Sequence, residues 1–198
     1  MNTTHSTRRR AAIALVAAAA LTLTGCSPGP AENAVPNWPP ASLEHYDLAG
    51  LDAPQIINTL DTMPVADRPN DLIASVQPTE LVLTSGDESL ETIPIPEDQF
   101  YLSVAPYYTS THPCRFHSLT TCRGEIANEQ VHVTVTDNAS GDTLIDETRT
   151  TYDNGFLGLW LPRGITATLT IDHDGRTATA PISTGDDDLT CLTTMQLA

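Results

Sequence analysis

From about Asp98 onward the chain is written in a period of two. Val131, Val133 and Val135 alternate with His132, Thr134 and Thr136. Successive side chains on a strand point to opposite faces, so this run buries one face and wets the other. Phe100 to Val104 opens the set, and Asn138-Ala139-Ser140-Gly141 turns the chain after the valine run. Leu144 to Thr150 returns as a strand, and Asp153-Asn154-Gly155 reverses the chain again. Phe156 to Leu161 is strongly apolar, and Pro162-Arg163-Gly164 turns once more. Thr166 to Ile171 alternates, Asp174-Gly175 turns, Arg176 to Ile182 alternates weakly, and Thr190 to Leu197 closes the chain. Short strands with regular turns predict a mainly-β, sandwich-like C-terminal domain over residues 98–198. Such a domain carries its polar sites in loops at strand ends.

Residues 41–97 read as a small α+β domain. Asp52 can cap a helix whose first turn tolerates Pro54. Ile56, Ile57, Leu60 and Met63 recur at helical spacing until Pro64 stops the run. Asp71 to Val76 fits a short helix or a strand, and the pattern does not decide between them. Leu81 to Thr84 reads as a strand, Ser85-Gly86-Asp87 as a turn, and Ser89 to Ile95 as the return. No catalytic constellation falls here, which leaves packing, spacing or self-association as the roles of this segment.

The N-terminus sets the compartment. Arg8, Arg9 and Arg10 precede an apolar stretch of 13 residues, Ala11 to Leu23. A membrane-spanning helix needs roughly 20, so the stretch suits the apolar core of an export signal. It ends in Leu23-Thr24-Gly25-Cys26, a pattern similar to a bacterial lipobox. Residues 1–26 are therefore expected to be a lipoprotein signal peptide, with the Cys26 thiol accepting a diacylglycerol. Residues 27–40 hold Pro28, Pro30, Pro36, Pro39 and Pro40, an extended tether. The expected location is outside the cytoplasm, periplasmic or lipid-anchored on the outer face of the cell membrane.

Charge excludes other partners. The chain carries 9 basic and 25 acidic residues; without Arg8 to Arg10, six arginines stand against those 25 acids, a formal −19. Nucleic-acid binding needs clustered basic residues on phosphates, so no nucleic-acid partner is expected. Membrane attachment would rest on the acyl chain rather than on a polybasic patch.

With Cys26 acylated, Cys114, Cys122 and Cys191 remain, all in the β segment. An odd number cannot be fully paired within one chain. Either one disulfide forms and one thiol is left over, or the three share another task. The loop His112-Pro113-Cys114-Arg115-Phe116-His117-Ser118-Leu119-Thr120-Thr121-Cys122 is dense in soft ligands. Thiolates with a neighbouring imidazole suit copper(I). Zinc with three cysteines and one histidine is chemically sound, but Cys114 and Cys122 are eight residues apart, outside the usual zinc spacing. His117 shares the loop as a further candidate ligand. His112 is a weaker one, because Pro113 fixes the backbone between it and Cys114. Trp160 and Phe156 read as core aromatics, and Tyr152 to Gly155 as a hairpin turn. No nucleophile elbow, zinc-protease motif, phosphate loop or C-x-x-C pair is present. No enzymatic activity or catalytic residue is expected, beyond stoichiometric reduction of copper(II) by the thiols.

Thr111-His112-Pro113-Cys114, the Phe116 to Cys122 run and Gly124-Glu125 resemble the CueP family of extracytoplasmic copper-binding proteins. So do Tyr101 to Tyr107, Asp153-Asn154-Gly155-Phe156, Gly158 to Arg163, and Thr190-Cys191-Leu192-Thr193-Thr194. The resemblance implies copper binding through the cysteines at 114, 122 and 191. It also implies a smaller N-terminal domain able to dimerise, a β-rich metal-binding domain, and a role in copper resistance and delivery to an acceptor protein. The lipobox departs from a plainly soluble export signal, as does Leu189 from a common proline. The competing expectations are a structural envelope lipoprotein with one disulfide and no metal, and a thiol redox protein.

Overall fold

A computed structural model describes residues 42–198. The signal peptide, Cys26 and the tether lie outside the described residues. After a 3-10 turn over Leu43–Tyr46 comes helix α1, Ala53–Thr62. Asp52 accepts the Gln55 backbone N–H at 2.9 Å, and the Gln55 side chain accepts the Asp52 N–H at 2.9 Å. This reciprocal cap satisfies two backbone donors that no helical carbonyl can reach. Ile56, Ile57 and Leu60 turn inward and are fully buried.

Three strands follow, β1 (Leu72–Val76), β2 (Glu80–Ser85) and β3 (Glu88–Pro94), as an antiparallel meander. The undecided 71–76 segment is thus a strand. Leu72, Ala74 and Val76 are buried, while Ile73 is 40% exposed between them. That outward isoleucine is what hides the alternation in the sequence. Next come β4 (Gln99–Tyr107) and the two-residue β5 (His117–Ser118). Strand β5 pairs with β1, so the first sheet has the order β3-β2-β1-β5.

The remaining strands are β6 (Gln130–Asp137), β7 (Thr143–Thr150), β8 (Leu157–Pro162), β9 (Thr166–His173), β10 (Arg176–Ser183) and β11 (Cys191–Gln196). They form two further sheets, β10-β9-β6-β7 and β11-β4-β8, with β11 parallel to β4. The protein is mainly β, with one α-helix among the described residues. Phe100, Leu102, Val133, Leu159, Leu169 and Met195 belong to one core drawn from both of these sheets, the arrangement that face-to-face sheet packing requires.

A second core joins α1 to β1 and β2. It also takes in Tyr101, Leu119 and, at its edge, Trp160. The cysteine loop is therefore seated on the N-terminal sheet as well as on the β segment that contains its thiols. Among the described residues no helix is long and apolar enough to cross a membrane.

Candidate metal centre

Two strand ends bring the cysteines together. Arg115 O accepts the backbone N–H groups of Thr190 at 2.9 Å and Cys191 at 3.2 Å. The His117 N–H donates to Thr190 Oγ1 at 3.0 Å, and that hydroxyl donates to Val76 O at 2.5 Å. Thr190 thus ties the C-terminal strand, the cysteine loop and β1 at one point. On the other side Gly124 N–H donates to Asn154 O at 2.6 Å. A Cβ on Gly124 would fall 2.5 Å from the Gly155 carbonyl oxygen. Glycine is needed there for the backbone after Cys122 to press against the Asp153–Gly155 turn.

The result gathers every candidate ligand in one place. Cys114 and Cys191 are joined as a disulfide, and Cys122 Sγ lies 3.8 Å from Cys114 Sγ as the free thiol. His117 Nδ1 is 3.8 Å from Cys191 Sγ. The donor atoms of His117, Cys122 and Cys191 lie within 4.8 Å of one another, as do those of His112, Cys114 and Cys122. In this state Cys114 is paired with Cys191, which leaves Cys122 as the free thiol among the described residues. Of the two outcomes that an odd cysteine count allows, this is the disulfide with one thiol left over.

Phe156 is not simply a core aromatic. It packs with Ala105 and the three cysteines, and its ring centroid is 4.6 Å from that of His117. It forms an apolar wall that keeps water from one side of the cluster. Trp160 lies apart from the sulfurs, against Tyr101 at 4.8 Å between ring centroids.

The residue that sequence reading missed is Asp61. It lies on α1 with no exposed surface. Its Oδ1 is 3.1 Å from His117 Nε2 and accepts from Asn154 Nδ2 at 3.2 Å, while Oδ2 accepts from Tyr101 Oη at 2.6 Å. The Arg68 guanidinium stands 4.0 Å away and donates to the carbonyls of Asp61, Met63 and Leu119. The signal was in the helix register. Asp61 follows Ile57 by four positions, which places it on the apolar face. Asn154 was hidden because Asn-Gly reads as turn chemistry.

The electrostatics follow from this geometry. Burial works against a charged Asp61, yet the charge and hydrogen bond of His117, with Tyr101 and Arg68, hold its carboxyl below the ordinary value. Burial likewise opposes an imidazolium at His117, but Asp61 overrides it and the pKa is raised to about 9. Burial raises the Cys122 thiol, and the neighbouring His117 outweighs that and lowers it. A sulfur next to a cation is held ready to ionise, the state in which thiols bind metals.

One buried and two half-buried sulfurs grouped around a buried imidazole, on a β scaffold in an acidic chain, define a protein of the soft-metal-binding class. Residues 55–196 match the family described as periplasmic copper-binding protein CueP. The fold is similar to the crystal structure of S.CueP, with a TM-score of 0.73 at 42% identity over 79% of this chain and 94% of that one. No curated protein matches the chain. The chain belongs to the CueP family, as its motifs indicated.

Proposed function

We propose that the chain is an extracytoplasmic lipoprotein that buffers copper(I) or passes it to an acceptor protein, holding the ion with Cys114, Cys122 and Cys191. One observation carries the reading: three sulfurs and the His117 imidazole converge in a largely buried cluster. Sulfur is the donor that copper(I) prefers. A zinc ion would accept the same donors, so metal identity rests on family membership and on the softness of the set. The disulfide sets a condition. Two electrons and two protons from a thiol reductant must open Cys114–Cys191 before three thiols are available. In the reverse sense, two thiols can give up two electrons to two copper(II) ions, release two protons to solvent and close as the disulfide.

The test is copper(I) competition against a chromophoric chelator on reduced protein. Each of Cys114→Ser, Cys122→Ser and Cys191→Ser is expected to weaken binding by at least about tenfold, the loss of one favoured donor. Wild-type affinity in all three variants would overturn the assignment. The pairing of Cys114 with Cys191 favours a second reading, a structural disulfide protein without metal. That reading expects the same single thiol before and after reduction and copper addition under native conditions. The copper reading expects three thiols after reduction, all protected by the metal. The lipid anchor is tested separately, because Cys26→Ser should abolish detergent-phase partitioning, and an unchanged partition would refute acylation.

A further inference from the structure

We propose that Asp61 is the positioning residue of this centre, and that it fixes His117 so that the imidazole meets copper through Nδ1. The inference rests on the copper reading above and goes beyond it by naming the atom and the residue that selects it. An ionised carboxylate only accepts hydrogen bonds. Asp61 Oδ1, 3.1 Å from His117 Nε2, therefore requires the proton to sit on Nε2. That nitrogen is occupied and points away from the sulfurs. Nδ1 is the ring nitrogen left facing them, 3.8 Å from Cys191 Sγ, and its proton leaves to solvent when the metal takes its place, as metal binding to a protonated ligand requires.

The carboxylate is itself immobilised. Tyr101 Oη and Asn154 Nδ2 hold its two oxygens at 2.6 and 3.2 Å, and the Arg68 side chain closes the far side. The His117 ring cannot turn over without breaking this set, and the Phe156 ring blocks its face at 4.6 Å. A partner of this kind fixes the tautomer and the orientation of a metal-binding histidine, and its loss costs about 10- to 100-fold in metal affinity. The helix that supplies Asp61 contains no candidate ligand, so it acts on the ligand set through this carboxylate and not through a donor of its own to the metal.

Two measurements test the proposal on the full chain. In reduced wild-type protein carrying 15N-histidine, one equivalent of copper(I) should shift the His117 Nδ1 resonance while Nε2 keeps its proton. Copper on Nε2, or no change at either nitrogen, would overturn it, and this arm needs no variant to fold. The second measurement is a cycle of Asp61→Asn, His117→Ala and the double variant, read as copper(I) affinity. Each single change should weaken binding at least about tenfold, and the double should be no weaker than His117→Ala alone. Additive losses would mean that Asp61 acts on general stability rather than through His117. Losses in the cysteine variants with wild-type affinity in Asp61→Asn would sink this proposal alone. Wild-type affinity in the cysteine variants would sink the copper reading and this proposal with it.

Discussion

At the scale of single residues, the centre depends on polar atoms that find their partners out of water. Tyr101 Oη donates to Asp61 Oδ2 at 2.6 Å with both side chains buried. Burial and the Asp61 charge push the phenol pKa well up, so it stays protonated as a donor. Gly158 makes room for it, since a Cβ there would collide with the phenol oxygen. Tyr101→Phe keeps the ring and removes only the hydroxyl. It leaves one oxygen of a buried carboxylate without that donor, and a hydrogen bond to a charged group contributes about 1.5–3 kcal/mol. The variant should lose about that much stability in urea unfolding, with little change in the slope. A loss of a few tenths would show that water or Arg68 takes over the empty position.

At the scale of elements, the strands were legible because β6, β9 and their neighbours present one face to a core and one to water. Helix α1 was legible from its cap, its spacing and its stop at Pro64. The two-residue β5 was not, since its pairing with β1 depends on Val76 meeting His117 across a long stretch of chain. Nor was the anchor of the segment that leads into the cysteine loop. Glu125 Oε2 accepts the N–H groups of Tyr108, Thr109 and Ser110 at 2.8, 2.9 and 3.1 Å, and Oε1 accepts the Thr109 hydroxyl at 2.7 Å. The Thr109 hydroxyl, then the backbone donors, lower its carboxyl to about 2 from an ordinary 4.5. A depressed carboxyl favours the folded state fully above its unfolded value. That contribution fades as pH falls from about 4.5 toward about 2. Glu125→Gln removes the charge and keeps an acceptor. Denaturant unfolding at several pH values should find the variant less stable than wild type near pH 6, with the gap closing as the pH approaches 2. A gap independent of pH would show that the charge does not matter.

At the scale of the whole molecule, the three thiols lie in residues 98–198, so the sequence alone leads one to expect that segment to hold copper unaided. The structure distributes the support differently. Leu119, inside the cysteine loop, is fully buried in the core of α1 and β1, and its N–H donates to Ala74 O at 2.9 Å. Its own carbonyl accepts from Arg68 at 2.6 Å, and Thr120 Oγ1 donates to Leu72 O at 2.7 Å. Sequence cannot reveal this, because each contact joins residues more than 40 positions apart. A fragment beginning at Asp98 keeps the core shared by the two C-terminal sheets, so its β-sheet circular dichroism should persist. It loses Asp61, Arg68 and the β1 edge, and it exposes Tyr101 and Leu119. The loop then has to be ordered at the moment copper binds, and fixing each free backbone residue costs about 1–2 kcal/mol. Copper(I) affinity should therefore fall by more than about tenfold, beyond the loss expected from Asp61 alone. Adding the 42–97 segment in trans should restore part of it. Full affinity in the isolated fragment, with its sheet content intact, would show that the β segment orders the loop by itself and that the contacts to α1 and β1 are dispensable for metal binding.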